Sequence, residues 1–255
     1  MTSPHCSASD ALAGVLARPD IWRGALAQAA VPTLSSGHAA LDAELPGGGW
    51  PRGQLVELLH AQAGIGEIAL LLPLLARLSG EGGHIVLVEP PQGGHCLHAP
   101  AWVAAGVRPE GLVVLRPQSP ADALWAAVES LRCPGVAMTL AWPDAAPVTS
   151  GRQRGRAAAN SLRRLQMALA EGGGCGFLLR PAACAADASP APLRLRLAPR
   201  QRGLAVEILK RRGPPATQPL WLAVPRPFAS NPARHDHGMD RARVPASPAR
   251  AVAAA

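Results

Sequence analysis

Five short apolar runs alternate along the chain with stretches of helical period, and this alternation restricts the fold more than any other feature. The runs are Gln54 to Leu59, His84 to Glu89 with an unbroken Ile-Val-Leu-Val, Leu112 to Arg116, Gly135 to Trp142, and Gly176 to Arg180. Helices are predicted between them at Ala69 to Ser79, around Ala99 to Ala105, from a Ser119 cap to Leu131, and from Gln153 to Glu171. Strands without polar alternation are buried on both faces, and strand–helix alternation builds a parallel sheet covered by helices. On the last helix Leu162, Leu165 and Leu169 share one face, with Arg163, Arg164 and Gln166 off it, as expected of a helix laid on a sheet.

After about Pro192 the helices stop. Leu193 to Leu197, Leu204 to Leu209 and Pro219 to Val224 read as three strands in close succession, which predicts an antiparallel extension of the sheet. The expected organisation is a helical lead-in over 1–32, an α/β core over 33–224 and a disordered basic tail over 225–255. That tail is Pro, Ala, Arg and His without apolar period.

One segment has the position of a phosphate-binding loop, between a short strand and a long helix: Glu57-Leu58-Leu59-His60-Ala61-Gln62-Ala63-Gly64-Ile65-Gly66-Glu67-Ile68. A working loop of this kind reads G-x-x-x-x-G-K-[S/T]: glycines let backbone amides cradle phosphate, Lys pairs its charge and the hydroxyl holds Mg²⁺. Counted back from Gly66, the first glycine position is Ala61, the lysine position is Glu67 and the hydroxyl position is Ile68. Glu67 repels phosphate and Ile68 cannot ligate a metal. The single lysine of the chain, Lys210, stands far from this loop in sequence.

The composition excludes several classes. A net charge of +8 admits nucleic acid, an acidic partner or an anionic surface, with a basic tail on an Arg-rich background as the plain alternative. The five cysteines, Cys6, Cys96, Cys133, Cys175 and Cys184, form no C-x-x-C pair and no zinc spacing, and are expected to be reduced thiols. The longest apolar run, Ile68 to Leu75, contains Pro73 and is too short to span a membrane, so a cytoplasmic location is expected. No Ser-His-Asp, Cys-His or paired-carboxylate constellation can be placed.

Several segments together carry a resemblance. Leu34-Ser35-Ser36-Gly37-x-x-x-Leu41-Asp42, followed by Gly48-Gly49-x-Pro51-x-Gly53-x-x-x-Glu57, resembles the approach to the core of bacterial RecA and its relatives. Leu45-Pro46-Gly47-Gly48-Gly49-Trp50-Pro51-Arg52-Gly53 beside a degraded phosphate loop is similar to the ImuA family, RecA-like accessory proteins of bacterial mutagenic translesion synthesis. The order of elements matches to about residue 224. The resemblance implies a RecA-like P-loop core with a degenerate nucleotide site, no cofactor and no catalysis. In the active relatives an acid ends the central strand; here Ala141 and Trp142 stand there, with Asp144 beyond Pro143. Their catalytic glutamate follows the strand after the loop helix; here Pro91 takes that place, with Glu89 two residues early.

The resemblance also nominates contact residues. The first DNA-facing loop of such recombinases corresponds to Pro143–Arg156, with Arg152, Arg154 and Arg156; the second, Pro181–Pro192, has neither a base-stacking aromatic nor a positive charge. Lys210, Arg211 and Arg212 follow a strand after whose counterpart in the active family a pair of lysines reaches the ATP of a neighbouring subunit; Lys210 and Arg212 match that spacing, with Arg212 departing in type, and a basic turn guarding a sheet edge is the alternative. The implied partners are a Y-family polymerase homologue (ImuB-like) and, through it, an error-prone replicative-type polymerase. RecA itself and weak DNA binding are further candidates, and nucleoid association follows when engaged. A SulA-like division inhibitor binding FtsZ is the rival function. Gln218-Pro219-Leu220-Trp221-Leu222 resembles a sliding-clamp peptide but reads better as a final core strand.

Overall fold

The computed structural model of the chain describes residues 31–89, 99–143, 152–216 and 218–224, with the helix backbone alone over 152–157. The lead-in over 1–30, the tail over 225–255, Pro91 and Asp144 lie outside the described residues.

The strands are β1 (Thr33–Leu34), β2 (Trp50–Pro51), β3 (Leu55–His60), β4 (His84–Val88), β5 (Leu112–Leu115), β6 (Val136–Ala141), β7 (Cys175–Pro181), β8 (Leu193–Arg200), β9 (Gly203–Lys210) and β10 (Leu220–Leu222). The helices are α1 (Ala39–Asp42), α2 (Leu72–Gly80), α3 (Ala99–Ala104), α4 (Pro120–Arg132) and α5 (Arg152–Gly172). β1 and β2 form a small antiparallel pair; the other eight strands form one sheet, ordered β10-β9-β8-β3-β7-β6-β4-β5.

The central strands run parallel, from β5 across to β8. The C-terminal extension is therefore mixed in register. β8 lies parallel beside β3, and the antiparallel pairing starts between β8 and β9 and continues to β10.

The chain moves outward from β3 to β4 and β5, then turns back through β6 and β7. With crossovers of one hand, that reversal sends the two sets of helices to opposite faces. The packing follows. On one face Leu74, Leu75 and Leu78 of α2 and Trp102 of α3 meet Val56, Leu58, Ile85, Leu87, Met138 and Phe177. On the other, Ala127, Val128 and Leu131 of α4 and Leu162, Leu165 and Leu169 of α5 meet Leu55, Val86, Val88, Ala141 and Leu178. α4 is capped as its sequence predicts, the Ser119 hydroxyl accepting from the Asp122 amide at 3.1 Å. Gln166 departs from the solvent face assigned to it. Its side chain accepts from the Leu55 amide at 3.0 Å and donates to the Gly53 carbonyl at 3.2 Å, pinning α5 to the start of β3.

The glycine-rich approach to β3 is a structural clasp. Asp42 accepts from the Ser35 hydroxyl at 2.6 Å and the Ser36 amide at 2.8 Å, and the Thr33 hydroxyl donates to the Gly47 carbonyl at 2.6 Å. These bonds close the segment over Trp50, which is fully buried and meets Phe177 edge-on with ring centroids 5.2 Å apart. Trp102 and Trp142 are buried as well, whereas Trp125 is 64% exposed and Trp221 57% exposed. In β10 Leu222 is buried in the core and Leu220 packs against it half-buried, while Trp221 faces out.

Candidate functional site

The loop after β3 stands at the C-terminal end of the parallel strands, where ligands of open α/β sheets bind. Ala61, Gln62, Ala63 and Gly64 are exposed, and Ile65 turns into the core. Gly64 and Gly66 adopt φ of +79° and +112°, the left-handed backbone that lets successive amides converge on an anion. The anion in place is Glu67. Its carboxylate is buried and accepts from the Gly64 amide at 2.8 Å and the Gly66 amide at 3.0 Å. Ile68, in the hydroxyl position, packs against the core that contains α2. The sequence shows Glu67 as a charge of the wrong sign; the structure shows it filling the cradle as well.

The neighbouring acids are also committed. Glu89 is almost buried and pairs with Arg116 Nε at 2.9 Å. β6 ends at Ala141 and is followed by Trp142, both buried and without a carboxylate. Between α4 and α5, beside the ends of β4 and β6, opens a cavity of about 300 Å³ whose walls include Val88, Ala123, Trp142 and Leu162. Its polar corner is Arg180 and Asp187, which pair with each other at 3.5 Å. Such a cavity suits an apolar group better than a triphosphate.

Sequence reasoning missed a buried ionic cluster on the α5 face. Glu57 has no exposed surface, and its carboxylate accepts from Arg180 Nη1 at 3.1 Å, Arg194 Nε at 2.9 Å and the Ser189 hydroxyl. Arg194 also donates to the carbonyls of Cys184, Ala185 and Asp187 at 2.7, 3.1 and 3.2 Å. The turn Ala182–Ala186 and the segment to Ser189 are thereby strapped to the sheet. This is the segment that the resemblance to recombinases nominated as a second DNA loop, and here its carbonyls are tied to Arg194. The alternation of Leu and Arg over 193–197 was the available signal, since it puts Arg194 and Arg196 together on the face opposite the leucines, where a strand of a sheet covered on both sides needs an acid to meet them.

The two nominated basic groups lie at opposite edges of the sheet. α5 begins at Arg152 after the C-terminal end of β6, so Arg152, Arg154 and Arg156 belong to that edge; their side chains lie outside the described residues. Lys210 ends β9 level with Arg194, near the start of β8, towards the N-terminal edge. Lys210 Nζ donates to the Ser189 carbonyl at 2.9 Å. Arg211 donates to the Glu44 carboxylate at 2.7 Å and to the Pro214 carbonyl at 2.6 Å, holding the turn after β9 to the segment after α1. Arg212 is exposed.

No protein-family model matches the chain. Among curated proteins it is 30% identical to Protein ImuA of Caulobacter vibrioides over 153 residues, 58% of this chain and 57% of that one. It is 33% identical to Protein RecA of Streptococcus pyogenes over 97 residues, 38% of this chain and 24% of that one. It is 35% identical to the mitochondrial DNA repair protein recA homolog 3 of Arabidopsis thaliana over 94 residues, 37% of this chain and 21% of that one. The matches thus span less than two thirds of each relative. A mostly parallel sheet, a phosphate-loop frame after β3 and these relatives together make the chain a RecA-like α/β protein similar to ImuA.

Proposed function

We propose that this chain is a non-catalytic RecA-like accessory protein of damage-induced mutagenic translesion DNA synthesis. It acts as a scaffold that binds a Y-family polymerase homologue and, through it, an error-prone replicative-type polymerase. The observation that carries the reading is the Glu67 carboxylate seated on the Gly64 and Gly66 amides. A phosphate entering the loop must displace a buried anion of the same chain and then meets, among the described residues, no lysine, no metal-binding hydroxyl and no strand-end acid. Similarity to ImuA supports the pathway, and the strapped segment after β7 supports a scaffold over a filament-forming recombinase.

A quantitative pull-down with the tagged full chain from damage-treated cells of the source bacterium tests this. Enrichment of the Y-family polymerase homologue is expected, unchanged by added ATP. Capture of FtsZ without any polymerase overturns the reading in favour of a division inhibitor.

A further inference from the structure

The hairpin joining β8 to β9 reaches beyond the sheet. Leu197 of β8 is level with His60, the last residue of β3, so residues 198–203 run past the edge from which the 61–68 loop emerges. The foot of the hairpin lies against that loop, a Cβ built on Gly66 falling 3.6 Å from Leu204. The tip reads Ala198-Pro199-Arg200-Gln201-Arg202-Gly203, and Ala198 to Arg202 are all exposed.

Arginines of the sheet and its helices are in part neutralised: Arg196 pairs with Glu207, Arg116 with Glu89, and Arg132 with Glu129 and Glu171, whereas, among the described residues, Arg163 and Arg164 on the outer face of α5 are not. Arg200 and Arg202 have no acidic partner among the described residues, and the tip contains no acid. The backbone adds a second observation. Arg202 has φ +57°, a left-handed conformation that glycine, asparagine or aspartate adopts with less strain. Gly203 cannot exchange roles with it, because a Cβ there would lie 2.1 Å from the Leu222 carbonyl oxygen. An arginine kept where the turn favours a smaller residue is an outlier that points to use of the side chain.

We propose that the β8–β9 hairpin tip is a nucleic-acid contact in which Arg200 and Arg202 neutralise phosphodiester phosphates and Gln201 hydrogen-bonds the same backbone. Planar guanidinium forks suit phosphate, and the tip lacks the apolar centre around which protein interfaces are built. The contact goes beyond the accessory role and does not depend on it.

The test is fluorescence anisotropy of the full chain with labelled single-stranded and duplex oligonucleotides, titrated with salt from about 50 to about 200 mM. Replacing both arginines (R200A/R202A) lowers the slope of log affinity against log salt by about 1.4 on single strands or about 1.8 on duplex, whichever is the ligand. Arg202→Asn keeps the turn and leaves thermal stability unchanged or higher, while the slope falls by about half as much. This separates a lost contact from a damaged fold. An unchanged slope on both probes overturns the proposal, as does the absence of wild-type binding at the lowest salt. Capture of the polymerase homologue by R200A/R202A remains a separate readout, so failure of the contact and failure of the accessory role are distinguishable.

Discussion

Glu67 is held by two charge-assisted hydrogen bonds from amides that would otherwise face an open loop. Removing it with Glu67→Ala leaves those amides to water and deprives the left-handed glycines of the group they converge on. A loss of about 1–3 kcal/mol is expected in urea denaturation, with faster amide exchange at Gly64 and Gly66. Cys175 sits at the opposite end of the sheet, where burial pushes its thiol up from 9.0 to about 11. The folded state therefore holds this proton more tightly than the unfolded chain. Its contribution is complete below about pH 9 and is lost as pH climbs towards 11, a fall of about 3 kcal/mol. The chain has no tyrosine and one lysine, so the other side chains that titrate in that window are chiefly the four remaining cysteines. Cys175→Ala is expected to flatten the decline in a pH series of denaturation curves. The identities of Glu67 and Ile68 were legible in the sequence as departures from the phosphate-loop pattern. That the Glu67 carboxylate turns back onto its own loop was not, because the turn depends on φ at Gly64 and Gly66, which spacing does not determine.

At the scale of elements, the strands of the core are where the apolar runs place them, because runs buried on both faces leave little choice. Their ends moved by a residue or two; β8 continues to Arg200, since its hairpin partner extends it beyond the apolar run. α2 begins only at Leu72, because the chain needs turns from Ala61 onwards to lift the loop over the sheet edge. Least visible was the strap on the segment after β7. Glu57 belongs to the motif that carries the family resemblance, yet its partners Arg180, Ser189 and Arg194 come from distant parts of the chain and meet only through the β7-β3-β8 order. Glu57→Ala leaves two buried guanidinium groups without their shared carboxylate. A loss of about 3–5 kcal/mol is expected. Limited proteolysis is expected to open the 182–189 segment first. Stability within about 0.5 kcal/mol of wild type would show that the strap is solvated rather than buried.

For the whole molecule, the parallel strand order separates the basic groups to two ends of the sheet. The C-terminal edge carries the filled loop, the start of α5 at Arg152 and the hairpin tip with Arg200 and Arg202; the other end carries Lys210 and Arg211, tied to Ser189 and Glu44, and the exposed Arg212. A net charge of +8 is visible in composition, but its division between opposite edges depends on strand order, which no local pattern reveals. In the proposed reading, the phosphate loop of this fold is closed to nucleotide by its own Glu67 carboxylate. The decisive experiment is calorimetric titration of the full chain with MgATP, alongside a thermal-denaturation series at the same concentrations. No saturable heat and no rise in Tm are expected up to millimolar nucleotide. Saturable, magnesium-dependent binding with a matching rise in Tm would contradict it.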